Sequence, residues 1–124
     1  MQQLAFKAYG EVTSRTASDQ QIEYALFREI TQSLQYVAQD DEASPAAWAD
    51  AIDRNLELWT LLAVDLMSED NQLDPNLRAS FIALAESVRR ISYGVLADRA
   101  EISELVEINE TIIQGLEAQN GEAA

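Results

Sequence analysis

Four glutamates recur at every third position near the carboxyl end of the chain, where carboxylates could hold a pair of metal ions. They are Glu101, Glu104, Glu107 and Glu110. A di-iron site in a four-helix bundle combines inward-facing glutamates with Glu-x-x-His pairs, and the chain has no histidine. We therefore interpret these glutamates as a solvated acidic face of a helix, and we expect no bound metal.

Other side chains that perform enzyme chemistry are scarce. A catalytic serine or threonine needs an adjacent base, but the chain has no His, no Cys, and Lys7 as its only lysine. No carboxylate pair stands out from the general excess of acids as a candidate for acid–base catalysis. The four scattered glycines form no phosphate-binding loop. An enzyme is therefore not expected, and neither is a cofactor.

Two asparagines lie inside apolar helical stripes. Asn55 falls between Ile52 and Trp59, and Asn109 falls between Leu105 and Ile113. Burying an amide without partners costs on the order of 1–3 kcal/mol. We predict that each amide bonds a neighbouring helix or loop and fixes the packing register; direct contact with a ligand is the alternative.

Four helical segments would position these groups. The first is predicted to begin at Ser18, with Gln21 completing a capping box, and to end near Gln39. The second begins after Ser44, with Pro45 at the first helical position, and continues to about Met67.

The third helix repeats this start with Asp74 and Pro75, and Gly94 is a candidate position for a break in it. The fourth is predicted from Ile102 to Leu116. The fold class is therefore all-α, a small single-domain bundle of about four helices over residues 18–117. Residues 1–17 would form an arm or a short helix, and residues 118–124 a flexible tail with nothing to bury.

The second helix is unusually apolar. Residues 56–67 are apolar at nine of twelve positions, which indicates either the centre of a bundle or a surface that meets another protein. The stretch is too short to span a bilayer, which needs about 20 apolar residues. We predict a partner-binding groove on this helix. Its candidate residues are Leu58, Trp59, Leu61, Leu62, Asp65 and Leu66, with Val64 and Met67 on the same faces.

The chain is strongly acidic, with 22 acidic and 8 basic residues and a net charge of -14. Direct binding to nucleic acid or to an anionic membrane surface is disfavoured, because both depend on clustered Lys and Arg. The acidity either keeps the protein in solution or steers it toward a less acidic partner. Residues 1–12 lack the pattern of a secretory signal, so we expect a cytoplasmic protein.

Several segments, in order and at matching spacing, resemble the FlaF family of alphaproteobacterial flagellar biosynthesis regulators. The matching pieces are Asn55-Leu56-Glu57-Leu58-Trp59, Asp65-Leu66, Asn71-Gln72-Leu73 with Leu77-Arg78-Ala79, Leu105-Val106-Glu107-Ile108-Asn109 with Ile112 and Gly115-Leu116, and the early Ala8-Tyr9 and Glu23. Two positions depart from the family pattern. Asp74 stands where the family usually has proline, which predicts a shifted helix cap, and Gln20 stands where it tends to have arginine.

The resemblance implies a non-enzymatic role in flagellin production and export. Members of the family act alongside FlbT, a regulator of flagellin translation, and are thought to bind flagellin as secretion chaperones. The resemblance therefore makes flagellin the expected partner. The alternatives are a regulatory adaptor that acts through FlbT, and a self-associating helical protein whose apolar surface forms a homodimer.

Overall fold

Four α-helices account for nearly all of the chain that the structure, a computed structural model, describes: residues 17–123, with side chains for residues 21–118. They are α1 (Ala17–Gln39), α2 (Pro45–Leu66), α3 (Pro75–Leu96) and α4 (Ile102–Ala123). Residues 17–123 contain no β-strand. The predicted all-α class and the predicted number of helices are both confirmed. None of these helices is long and apolar enough to cross a membrane.

The helices are arranged as a ring in which each packs against its neighbours along the chain. Helix α1 also packs against α4, which closes the bundle. The connections are short, so successive helices are antiparallel. The α2–α3 turn consequently lies at the end of the bundle opposite to the α1–α2 turn.

The starts of α2 and α3 are capped as predicted. The Oγ of Ser44 accepts a hydrogen bond from the backbone N–H of Ala47 at 3.1 Å, with Pro45 following in the first turn. The carboxylate of Asp74 accepts the backbone N–H groups of Asn76 and Leu77 at 3.1 and 3.3 Å. The departure from the family pattern at Asp74 therefore preserves the helix start and supplies its cap.

The start of α1 differs from the prediction by one residue. The helix begins at Ala17, so Ser18 lies within its first turn. The side chain of Ser18, and with it the expected capping box, lies outside the described side chains. Of the arm or short helix predicted over residues 1–17, Ala17 belongs to α1 and residues 1–16 lie outside the described residues.

Helix α3 passes through Gly94 without a break and ends in a turn with a left-handed residue. The N–H of Asp98 bonds the carbonyl of Val95 at 3.1 Å, and the N–H of Arg99 bonds that of Gly94 at 2.7 Å. This pair of bonds is the Schellman motif, in which Asp98 takes φ 61°. A Cβ on Gly94 would lie 3.2 Å from the Cβ of Ala100. Gly94 therefore permits the close approach of the α3–α4 turn and does not interrupt the helix.

Helix α4 is longer than predicted. The apolar pattern indicated an end at Leu116, whereas the helix continues to Ala123. The residues after Leu116 include Glu117, Ala118 and Gln119, which are good helix formers, and proline is absent. An apolar pattern detects only the part of a helix that is buried, so it misses an extension that is polar.

The core consists of side chains from all four helices. The largest fully buried ones are Trp59, Phe27, Leu34, Ile52, Leu66, Leu105, Val88, Val95, Asn55, Asn109 and Thr31. Three of these are polar, and they lie together near the middle of the bundle.

Candidate functional site

The centre of the bundle holds a polar cluster made of Thr31, Asn55, Trp59 and Asn109. The Oδ1 of Asn109 accepts the indole N–H of Trp59 at 2.9 Å. Its Nδ2 donates to the Oγ1 of Thr31 at 3.0 Å and to the Oδ1 of Asn55 at 2.7 Å. One amide of α4 therefore binds a side chain of α1 and two of α2. Both asparagines are buried and bonded to neighbouring helices, as their spacing predicts.

The cluster is satisfied at every described position except one. The Nδ2 of Asn55 is buried and has no hydrogen-bond partner among the residues that the structure describes. Trp59 is held on its other side by the ring of Phe27, edge-on at 5.8 Å between centroids. This arrangement fixes the packing of α1, α2 and α4, and it offers no open site for a ligand.

The predicted groove on α2 is largely closed. Leu58, Trp59, Asp65 and Leu66 each expose 6% of their surface or less. Leu61 and Leu62 are partly buried and pack against the core. The expectation of an exposed groove at these residues is therefore wrong for four of the six. The reason is that a central bundle helix and a binding helix have the same apolar pattern.

Asp65 belongs to the structure of the α2–α3 turn. Its backbone carbonyl accepts the side-chain Nδ2 of Asn71 at 3.3 Å. The Oδ1 of Asn71 accepts the backbone N–H of Leu73 at 3.0 Å. Asn71 thus ties the end of α2 to the residue that precedes the Asp74 cap of α3. The short motif around Asn71 that resembles the family has a folding role at this turn.

Exposed apolar side chains gather at this same end of the bundle. Val64, Met67, Leu73 and Leu77 expose between 38% and 63% of their surface, and we call them the α2–α3 apolar patch. Val64 lies in the last turn of α2, Met67 caps the end of that helix, and Leu73 and Leu77 flank the start of α3. Leu73 and Leu77 were missed as binding candidates. The sequence offered a signal for Leu73: it comes just before the helix cap Asp74, outside any helical stripe, so packing within a helix does not account for an apolar residue there.

The four regularly spaced glutamates, Glu101 just before α4 and three within it, divide between solvent and helix contacts. Glu101, Glu104 and Glu107 are exposed. The carboxylate of Glu104 accepts the backbone N–H of Glu101 at 3.0 Å and so caps the start of α4. The carboxylate of Glu110 accepts a hydrogen bond from the Nε2 of Gln35 at 2.9 Å. Within residues 21–118, no group of three acidic side chains has the geometry of a metal site.

A surface cavity of about 600 Å³ lies at the end opposite to the α2–α3 apolar patch. Its rim is acidic, with Asp40, Asp41 and Asp98 among its residues, and Trp48 forms part of its wall. The carboxylates on this rim project into open solvent, where water hydrates them. They therefore give the cavity no chemistry that would select a particular ligand.

Comparison with known proteins identifies one family. The profile described as flagellar protein FlaF matches residues 5–116. The comparisons with curated proteins and with solved structures gave no match. The matched range covers all of α1, α2 and α3 and most of α4, including the polar cluster and the α2–α3 apolar patch. Because the match extends over most of its length, the chain belongs to the FlaF family of flagellar proteins.

Proposed function

We propose that this protein is a non-enzymatic, cytoplasmic chaperone that binds flagellin and promotes its synthesis and export. The observation that carries the proposal is the α2–α3 apolar patch, where Val64, Met67, Leu73 and Leu77 face solvent together at one end of the bundle. Exposed apolar side chains that share one end of a small protein favour an interaction site there. Membership of the FlaF family supplies the flagellar setting.

The chemistry of the patch suits an amphipathic helix. Aliphatic side chains and one methionine offer an apolar surface with no fixed polar partner to match, and methionine adapts to different shapes. The family resemblance implies that the partner is flagellin. The terminal segments of flagellin are unstructured before assembly and can form amphipathic helices. Such a segment can place its apolar face on the patch in the helix-in-groove mode.

The composition supports a binding role over a catalytic one. The chain has no His or Cys to act as base or nucleophile. Its net charge of -14 favours association with a partner that is less acidic, because complementary charge raises association rates.

The proposal is tested by size-exclusion chromatography with light scattering on the purified protein, alone and mixed with monomeric flagellin from the same organism. A defined heterocomplex is expected. The variants Met67→Glu and Leu77→Glu should abolish it while helicity stays native, since both side chains are exposed. Tyr36→Glu is the matched control: Tyr36 is 73% exposed, it lies on α1 at the opposite end of the bundle, and the same charge is introduced.

Two other outcomes would replace the proposal. If the proteins elute apart and this chain forms a stable dimer that Met67→Glu dissociates, the patch is a homodimer interface. If flagellin elutes apart and a FlbT-type regulator forms the complex instead, the protein is a regulatory adaptor. Substitution at Leu58 is unsuitable for this test, because an acid at that buried position would unfold the bundle.

A further inference from the structure

The α2–α3 apolar patch lies at the end of the bundle where α1 begins. Helices α1 and α2 are antiparallel, and Arg54 of α2 approaches Glu29 of α1 at 3.8 Å. Ala17 comes twelve residues before Glu29, and Leu66 comes twelve residues after Arg54. Because both helices rise about 1.5 Å per residue, Ala17 lies roughly level with Leu66, which directly precedes Met67 of the patch. Residues 1–16 therefore join the bundle at the end that carries the patch.

The sequence of residues 1–16 is suited to binding an apolar surface. Apart from Met1, the large apolar residues of this segment fall between positions 4 and 12. They are Leu4, Phe6, Tyr9 and Val12, and we call residues 4–12 the apolar arm. The FlaF profile matches from residue 5, so most of the apolar arm lies in the part of the chain that defines the family. Apolar side chains gain free energy by leaving water in proportion to the area that is buried.

The charge of this segment is opposite to that of the bundle. Lys7 and Arg15 against Glu11 give residues 1–16 a net side-chain charge of +1, so that residues 17–124 carry -15 of a total of -14. The α2–α3 turn contributes three exposed carboxylates: Glu69, Asp70 and Asp74. A segment with basic residues is therefore attracted to the patch, whereas a second copy of the bundle would bring two acidic turns together.

The link between the apolar arm and α1 is long enough for contact with the patch. It consists of polar residues: Thr13, Ser14, Arg15 and Thr16. The five steps from Val12 to Ala17 span up to about 17 Å when the chain is extended. Packed helices lie about 8–10 Å apart, so Val12 can reach the end of α2, and the residues before it can continue toward the start of α3.

We infer that the apolar arm binds the α2–α3 apolar patch of its own chain in the free protein, and that flagellin displaces it. The contact of the arm with the patch is independent of the proposed function, whereas the displacement rests on it. Exposed apolar surface promotes unspecific association. The arm thus shields the patch until the partner is present.

Because the arm is tethered, even a weak contact is sufficient. A segment joined to its target by a short linker acts at an effective concentration in the mM range. A contact with a Kd of about 0.1 mM for the separate peptide would therefore be formed about ten times more often than not. The affinity for a competing partner falls by about the same factor. The arm therefore restrains partner binding without preventing it.

A spin label on the full-length protein tests the contact without any partner. The chain has no cysteine, so a nitroxide attached at Gln3→Cys reports only on the arm. The amide NMR signals of residues 64–77 should be broadened, while those of residues 36–45, at the opposite end of the bundle, should not. Broadening that is uniform over both ranges, or absent from residues 64–77, would overturn the inference.

Substitutions on either side of the contact provide the controls. Phe6→Ser on the arm and Met67→Ser on the patch should each restore the signals of residues 64–77 in the spin-labelled protein. Gln2→Ser introduces the same residue at a polar position next to the arm and should leave the broadening in place. Because Met67 is exposed, its replacement should leave the helicity native. Broadening that survives both Phe6→Ser and Met67→Ser would overturn the inference.

A mixed sample distinguishes the chain's own arm from the arm of a second copy. Spin-labelled protein without isotopes is mixed with isotope-labelled protein that carries no spin label. No broadening of residues 64–77 is expected in this mixture. If it were as strong as within one molecule, the arm would be exchanged between copies, and the inference would be overturned.

Calorimetric titration with monomeric flagellin tests the displacement. Phe6→Ser should tighten binding about three- to tenfold, because the arm no longer competes for the patch, and Gln2→Ser should leave the Kd unchanged. Unchanged or weaker binding by Phe6→Ser would overturn the displacement. If neither variant nor the unmodified protein binds flagellin, the proposed function fails, while the spin label on the free protein still decides whether the arm covers the patch.

Discussion

At the scale of single residues, the side-chain amide of Asn109 joins three of the four helices. Its amide accepts one hydrogen bond and donates two, to partners that lie 50 to 78 residues away in the sequence. All of these groups are shielded from water, where a lost partner is not replaced. The position of Asn109 in an apolar stripe was enough to predict burial, but not which groups it would bond.

Asn109→Ala should destabilise the protein strongly, because it leaves the indole N–H of Trp59 and the amide of Asn55 buried without partners. Each such group costs about 1–3 kcal/mol, so we expect a loss of about 3 kcal/mol in the free energy of unfolding. Urea denaturation measures it, with Asn76→Ala, at an exposed position, as the control. A variant with unchanged stability and lost partner binding would contradict a packing role and indicate a ligand contact.

Tyr24 should titrate above its usual range. Its hydroxyl donates to the Glu117 carboxylate, and this bond, with lesser effects of burial and of the Glu117 charge, raises the pKa of Tyr24 from 10.0; the guanidinium of Arg28 opposes the shift. Since the folded pKa is the higher one, the bond stabilises the fold fully below pH 10.0 and is lost as pH rises through the folded pKa.

The phenolate absorbance of the protein minus that of Tyr24→Phe follows this titration. Glu117→Gln should move the Tyr24 pKa down toward 10.0, and Glu107→Gln, at an exposed carboxylate of the same helix, should leave it in place. An identical response to both substitutions would show that the Tyr24–Glu117 bond does not form in solution.

At the scale of elements, the helix starts were predictable and the exposed faces were not. Ser44, Asp74 and the prolines that follow them act within one helical turn, so their effect can be deduced from adjacent residues. Which apolar residues of α2 are buried cannot be deduced from adjacent residues in this way. Leu58 lies in the core and Val64 faces solvent, although both are apolar residues of the same helix, because the positions of α1, α3 and α4 decide which faces are covered.

The turn after α3 offers a stabilising change. Asp98 holds φ 61°, a left-handed conformation that is costly for residues other than glycine, and its negative charge lies near the carboxyl end of a helix. Asp98→Gly should therefore stabilise the protein by about 0.5–1 kcal/mol. Thermal melting measures the gain. Asp98→Asn is the control, since it removes the charge and keeps a side chain; if the two variants melt together, the gain is electrostatic and backbone strain contributes nothing.

At the scale of the whole molecule, the net charge of -14 opposes the compact state. Within residues 21–118, the salt bridges that could offset it are Arg54–Glu29 at 3.8 Å and Arg89–Glu86 at 3.1 Å, and all four side chains are largely exposed. Exposed pairs of this kind contribute little to stability. Repulsion among acidic side chains is therefore the dominant long-range electrostatic effect.

Salt should consequently stabilise the protein. The Debye length falls from about 30 Å at 0.01 M to about 10 Å at 0.1 M ionic strength, which screens repulsion across the bundle. We expect the melting temperature to rise by several degrees between these conditions in sodium chloride. A fall would mean that attractive ion pairs outweigh the repulsion. Replacing the chloride salt with another monovalent salt at equal ionic strength should give the same rise, since screening does not depend on the identity of the ion.

The amino-acid sequence by itself determined the helical class, the starts of α2 and α3, the burial of both asparagines and the resemblance to FlaF. These features depend on caps, prolines and apolar spacing, which act over a few residues. Tertiary structure alone decided that the predicted groove is closed and that the apolar surface lies at the α2–α3 turn. Those features depend on which distant side chains meet, such as Trp59 with Asn109, fifty residues apart, and periodicity within one helix contains no information about its neighbours.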